Sequence, residues 1–282
     1  YYALKNLLKR SPQCKLIIYP YEEKGIERAY LFACKERGIR TIGYTPHPQY
    51  RSAVSLRDNL SLQSPKPSRY AVCGSAYVDY FVSWGKKDRN IISVWGSEKS
   101  YRYSPETRRI NQSHLKILLL ISHPNELKVF YSWLRAEERL LRSITYNVRV
   151  YKGVYNEEFE KVLTQLNNEF DCIKESNDEF ENDLQQCDLA VFCATSAGPL
   201  TVNRGYLAMY VDLNDFLEIN PCFDDLDEML PCRSSEEFAN RLDEIRKMNT
   251  DSIEELYNKQ LLLTERIFSP IQTNILKAEL LC

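Results

Sequence analysis

The chain has 282 residues, 44% hydrophobic and 27% charged, with a formal net charge of −2 from 37 basic and 39 acidic residues. This is the composition of a soluble globular protein with room for one large or two ordinary domains. It excludes a global field that would draw in nucleic acid, and no apolar run approaches the roughly 18–20 residues of a membrane span.

The chain opens Tyr1-Tyr2-Ala3-Leu4, without Met or signal peptide, and reads as part of a longer protein. Leu4 to Arg10 is the end of a helix and Lys15 to Tyr19 a strand. Gly25 to Arg37 places Ile26, Ala29, Tyr30, Ala33 and Cys34 at helical spacing, and Gly38 closes it. Strands follow at Arg40 to Tyr44 and Arg69 to Cys73, a helix at Ala76 to Trp84, and a strand at Asn90 to Trp95. Gly96 to Ser113 is polar and breaks the alternation.

The pattern restarts with a strand at Lys116 to Ile121 and a long helix at Glu126 to Arg142. Asn147 to Tyr151 is a strand, Glu157 to Phe170 a helix, Cys172 and Ile173 a short strand, and Phe180 to Gln186 a helix. Cys187 to Leu213 then reads as a buried strand, a small-residue turn, a short helix and a second buried strand. Late helices are expected at Ser234 to Met248 and Ser252 to Leu263, with a packing tail at Ile271 to Leu281. Strand–helix alternation of this kind means parallel sheets covered by helices. The expected organisation is a partial first domain at 1–98, a linker at 99–114 and a second domain at 115–282. The first domain, with about three or four strands, is short for a Rossmann unit and reads as truncated at its N-terminus.

The nine cysteines are scattered, form no CxxC pair and suit buried thiols in a reducing cytoplasm. No His/Asp/Glu/Cys spacing makes a metal site, and no P-loop, GxGxxG or GxSxG motif is present.

In the first half, YPYEEKGIERAYLFACKERGIRTIGYTPHP (Tyr19 to Pro48) sets an acidic stretch before a helix. A strand then ends in a Gly-Tyr-x-x-His turn. With SRYAVCGSAYVDYFVSWG and NIISVWGSEKSYRY, this order of elements resembles the GT-B glycosyltransferases. Within them it resembles the bacterial surface-polysaccharide transferases that handle Kdo or sialic acid. The resemblance implies two Rossmann-like domains with parallel sheets facing a cleft. It also implies transfer from a nucleotide-sugar donor to a surface-polysaccharide or lipopolysaccharide acceptor, glycan or glycolipid. The donor is a substrate, so neither cofactor nor metal is expected. The implied location is cytoplasmic, compatible with attachment to the inner membrane through other subunits. Where many members place a Glu for the donor ribose, this chain reads Val202-Asn203-Arg204-Gly205. The His-Pro pair of sialyltransferase-like members stands here as His123-Pro124, a strand earlier than usual.

On the acceptor side, Glu22 and Glu23 follow a strand and precede a helix, where a carboxylate can take a hydroxyl proton. Each could equally complement the helix dipole. His47, in a proline-flanked turn, is a base or an ordinary loop histidine. On the donor side stand Ser122 and His123 before a helix, Lys152 at a strand end, and Thr195 and Ser196 in the small-residue turn. Asn203 can bond a hydroxyl without bringing charge, and Gly96 and Ser97 touch the donor or simply turn the linker. Caps and solvated side chains explain several of these without a ligand. Two alternatives remain open: a sugar-nucleotide epimerase or hydrolase of the same fold, and a non-catalytic, degenerate GT-B binding module.

Overall fold

The computed structural model describes residues 2–22, 24–46, 65–101, 110–151, 153, 155–213, 220–222 and 227–281. Glu23, His47 and Lys152 lie outside the described residues. The chain divides into two compact units, residues 1–100 with 265–282, and residues 101–264. The tail at 265–282, read from sequence as part of a second domain, thus belongs with the first unit.

The first unit holds a parallel sheet in the order β1 (Leu16–Pro20), β2 (Arg40–Thr45), β3 (Arg69–Val72), β4 (Ile92–Val94). Helix α1 (Tyr2–Arg10) and α2 (Gly25–Lys35) cover one face through Leu8, Ala33 and Cys34 packed with Ile17. Gly38, at φ +62°, ends α2 in a conformation that favours glycine. Helix α3 (Ala76–Ser83) brings Phe81 against Tyr21 and Tyr70. Buried Lys87 sits over these rings, 4.7 Å from the Tyr70 centroid, a cation–π contact strengthened by exclusion of water.

The other face is covered from the C-terminus. Leu276 of helix α10 (Thr273–Leu281) packs against Ile42, Ala71 and Trp95. The Glu279 carboxylate accepts from Trp95 Nε1 at 2.8 Å and Ser93 Oγ at 3.1 Å. The preceding backbone runs over the ends of β3 and β4. The Ser269 N–H donates to Cys73 O, and the Ser97 N–H to Ser269 O, each at 2.9 Å.

The second unit holds five parallel strands: β5 (Leu115–Ile121), β6 (Ile144–Val150), β7 (Ile173–Glu175), β8 (Leu189–Phe192) and β9 (Leu207–Tyr210). Their order across the sheet is β7-β6-β5-β8-β9. The chain thus builds outward from β5 on one side and then resumes beside it on the other, the doubly wound arrangement. All four residues of β8 are buried, as a strand covered on both faces requires. Helices α4 (Pro124–Ala136), α5 (Glu157–Glu169) and α8 (Ser235–Lys247) bury Phe130, Leu163 and Phe238 in one continuous core.

Helix α4 stops at Ala136, short of the expected end at Arg142. Glu137 leaves helical geometry at φ −130°, and its side chain accepts the Arg139 N–H and pairs with the Arg139 guanidinium. This local ion pair ends the helix and starts a single 3-10 turn at Glu138–Leu141, which buries Leu140. A second carboxylate, Asp183 on α6 (Phe180–Gln185), is 2% exposed and binds Arg149 of β6 at 2.6 Å and the Ser176 hydroxyl. On the outer edge of β9, the buried Gln260 side chain of α9 (Thr250–Ile267) bonds both the N–H and the C=O of Ala208, at 3.0 and 2.7 Å. An edge left open would be a template for foreign strands.

All described cysteines are free thiols. Burial pushes the Cys73 and Cys232 thiols from 9.0 up to about 12, and the Tyr44 phenol from 10.0 up to about 12. A folded-state pKa raised above the unfolded value gives stability that is complete below the unfolded pKa and lost as pH rises through the folded one. The melting temperature should therefore decline from about pH 9 toward pH 12. Melts across that range would check it, and a flat profile contradicts the burial of these groups.

Candidate functional site

In a doubly wound sheet the ligand-binding crevice opens at the carboxyl ends of the strands, where the winding reverses. In the second unit that point lies between β5 and β8. Two turns meet there: Ser122-His123 after β5 and Ala194-Thr195-Ser196 after β8. The Ser122 hydroxyl bridges them, 3.2 Å from the Ala194 carbonyl.

The first turn is closed on itself. The Glu126 carboxylate, fully buried, accepts the Ser122 N–H at 2.9 Å, the Ser122 hydroxyl at 3.0 Å and the His123 N–H at 3.3 Å. The Asn125 N–H is taken by His123 Nδ1 at 3.2 Å, and Pro124 has no N–H to offer. The start of α4 therefore has its backbone donors satisfied from within, and the single Ser122 proton is committed to Glu126 and Ala194. What this turn presents outward is the exposed His123 ring. With Nδ1 accepting, the neutral imidazole carries its proton on Nε2 and can donate it.

The second turn is open. Thr195 Oγ1 accepts the Ala197 N–H at 3.2 Å, and its own proton meets no acceptor among the described residues. The half-buried Ser196 begins the helix α7 (Ala197–Asn203) without using its hydroxyl as a cap. The turn lies this close to the sheet because Gly198 packs directly on the Phe192 ring, with no room for a side chain. Two hydroxyls and one imidazole N–H thus stand on the two turns that meet at this point, a donor set suited to phosphate or sugar oxygens. Among the described residues no group of three His, Cys, Asp or Glu could hold a metal ion, and no helix is long and apolar enough to cross a membrane.

The remaining candidates are placed elsewhere. Asn203 is 1% exposed and accepts from Thr264 Oγ1 at 2.9 Å, so its side chain points into the unit at the far end of α7. Gly96, at φ +84°, lies against the Pro270 backbone, and Ser97 is 3% exposed beneath Ser269. Both seat the C-terminal segment on the first sheet. Glu22 stands at the carboxyl end of β1, half-buried, in an ion pair with exposed Lys24. Its N–H donates to the buried Glu27 carboxylate at 3.0 and 3.1 Å.

The residue that sequence reasoning passed over is Glu126. Its signal was the spacing His123-x-x-Glu126 before an apolar run, the reciprocal cap that joins the start of a helix to its first turn.

No family model matches the chain, and no curated protein does. Solved structures do. A glycosyltransferase of Rickettsia africae is 11% identical at a TM-score of 0.64, covering 99% of this chain and 78% of its own. An E. coli structure bound with UDP-2-fluoro glucose, described under the name trehalose-6-phosphate, is 12% identical at a TM-score of 0.63, with 99% and 76% covered. A protein named as a UDP-N-acetylglucosamine 2-epimerase of Listeria monocytogenes is 9% identical at a TM-score of 0.61, with 99% and 75% covered. Identities this low speak to the fold alone. The fold is α/β with two parallel sheets, of the GT-B type.

Proposed function

We propose that this chain is a glycosyltransferase that binds a nucleotide-sugar donor at the β5/β8 crevice of its second unit. The observation that carries the reading is the open turn of Thr195 and Ser196 at the point where the sheet reverses, joined through Ala194 to the turn that carries His123. Hydroxyls and an imidazole N–H there would bind the donor's phosphates and offset the charge that builds on the leaving group. The general base for the acceptor hydroxyl belongs to Glu22, Glu23 or His47. Lys152, two residues after β6 in the sequence, would add a positive charge. A surface glycan is the acceptor class that the sequence likeness favours.

UDP-glucose, GDP-mannose and CMP-N-acetylneuraminate test the reading. At a hundredfold excess over Kd, a ligand stabilises the native state by about 2.7 kcal/mol. At least one of the three should therefore raise the melting temperature. Thr195→Val with Ser196→Ala should weaken that ligand by at least about tenfold, roughly 1.4 kcal/mol. Failure of all three to bind would overturn the proposal. A second reading, a sugar-nucleotide epimerase, draws on the likeness to the Listeria protein. Product analysis with the bound donor and no acceptor separates the two, since an epimerase returns the donor's epimer and a transferase does not.

A further inference from the structure

We infer that Glu126 is a positioning residue for this site, acting through Ser122 on the turn that carries Thr195 and Ser196. The inference rests on the donor reading above and adds a role to a residue that never meets the ligand.

Glu126 is 0% exposed, and no Lys, Arg or His pairs with it among the described residues. A buried carboxylate is costly unless its oxygens are fully hydrogen-bonded. Its bond to the His123 N–H is the capping-box contact, and its bonds to the Ser122 N–H and hydroxyl go beyond that role. What Glu126 adds is the fixing of Ser122. It takes the Ser122 N–H at 2.9 Å and lies 3.0 Å from the hydroxyl, which holds that hydroxyl where it also reaches Ala194 O at 3.2 Å. Ala194 is the residue immediately before Thr195. One carboxylate thus locks the β5–α4 turn, orients His123 through its N–H and, by way of the serine, ties down the start of the β8–α7 turn. Ligand-binding groups on short turns need this support to stay in place before the ligand arrives.

The first unit contains a comparable device that serves as a control. Glu27 is 6% exposed on α2 and reaches back to the Glu22 N–H at the end of β1. It is a buried carboxylate bracing a strand–helix turn, far along the chain from the donor crevice.

Glu126→Gln keeps the shape but turns an NH2 toward groups that are themselves donors. Titrations of the full chain with UDP-glucose, GDP-mannose and CMP-N-acetylneuraminate, well below the melting temperature, should show the bound ligand weakened roughly tenfold to a hundredfold, the scale on which outer-shell partners act. Glu27→Gln should leave that affinity within about twofold, inside the scatter expected of independent sites. Ser122→Ala removes the hydroxyl that joins Glu126 to Ala194, keeps the Ser122 N–H bond to the carboxylate, and should weaken binding in the same direction. It keeps the question answerable if Glu126→Gln folds poorly. Nitrogen NMR of the His123 ring gives a second readout: Nδ1 accepts the Asn125 N–H in the wild type, and the tautomers should become mixed where Glu126→Gln lets the His123 backbone shift from that donor.

Unchanged affinity in both Glu126→Gln and Ser122→Ala, with the wild type binding normally, overturns the inference and leaves the proposed function standing. Equal losses in Glu126→Gln and Glu27→Gln also overturn it, since the effect would then be general softening. No binding of any of the three by the wild type removes both readings together.

Discussion

Gly198→Ala should lower the stability of the second unit by about 3 kcal/mol, the upper end of ordinary overpacking, and abolish ligand binding with it. A Cβ at this position would stand 2.2, 2.3 and 2.4 Å from three ring atoms of Phe192. Contacts that short do not occur, so the helix or the ring must move. The ring has nowhere to go. Phe192 is fully buried and lies edge-on to Tyr210, with centroids 5.6 Å apart. The helix must therefore lift, and the Thr195–Ser196 turn at its start lifts with it. A drop of this size corresponds to roughly 6–12 °C in melting temperature for a unit of this scale. Calorimetry and a donor titration on the same variant would check both effects. A melt within about 2 °C of wild type would show that α7 is not seated on Phe192 as described.

Gly74→Ala should release the C-terminal segment from the first unit. Here the obstruction is backbone: the new Cβ would lie 2.2 Å from Ile267 O and 2.3 Å from Arg266 O. Neither carbonyl can rotate away, because the next residues are pinned by the Ser269 N–H on Cys73 O and the Gln272 N–H on Trp95 O, each at 2.9 Å. Displacing the segment also strips α10 from the sheet and exposes Trp95, whose indole N–H Glu279 now holds. The expected cost is about 3 kcal/mol or more, read as a lower melting temperature and new protease cleavage around 266–272. Gly25→Ala is the contrast. Nothing lies within 4 Å of its Cβ position, and it opens α2, where alanine is the better helix former. That variant should melt at or slightly above the wild-type temperature.

Much of the fold was legible because its signals are local. The apolar run Leu189 to Cys193 is too short for a helix, and Leu189–Phe192 within it forms a strand with every residue buried. The periodicity from Gly25 and from Glu157 produced helices ending within two residues of the expected places. The helix expected to run to Arg142 stops at Ala136 because the Glu137–Arg139 pair competes with helical geometry, and an apolar period carries no trace of such a pair. The small-residue turn that carries Thr195 and Ser196 was readable as a turn between a buried strand and a short helix. Their neighbours were not separable by type. Ser122 looks as suitable for a phosphate as Ser196 until the partners of its proton are known.

The sequence by itself determined the class of architecture: hydrophobic period and turn residues dictate alternating strands and helices, and alternation dictates parallel sheets. It also determined where one sheet stops and the next begins to be built. Only the tertiary structure decided which polar groups are spent inside the protein. Glu126, Asn203, Ser97 and Gly96 are all short-range plausible for a ligand. Each is committed to a partner or a close contact that the fold supplies, from four residues away for Glu126 to about 170 for Gly96 and Ser97. A hydrogen bond between residues distant in sequence is fixed by packing, and a single chain carries no local mark of it. The same reason explains the C-terminal segment. Its helix was visible as a pattern, but its docking on the first sheet depends on two glycines nearly two hundred residues earlier, where the absence of a side chain means nothing until the opposing backbone is in place.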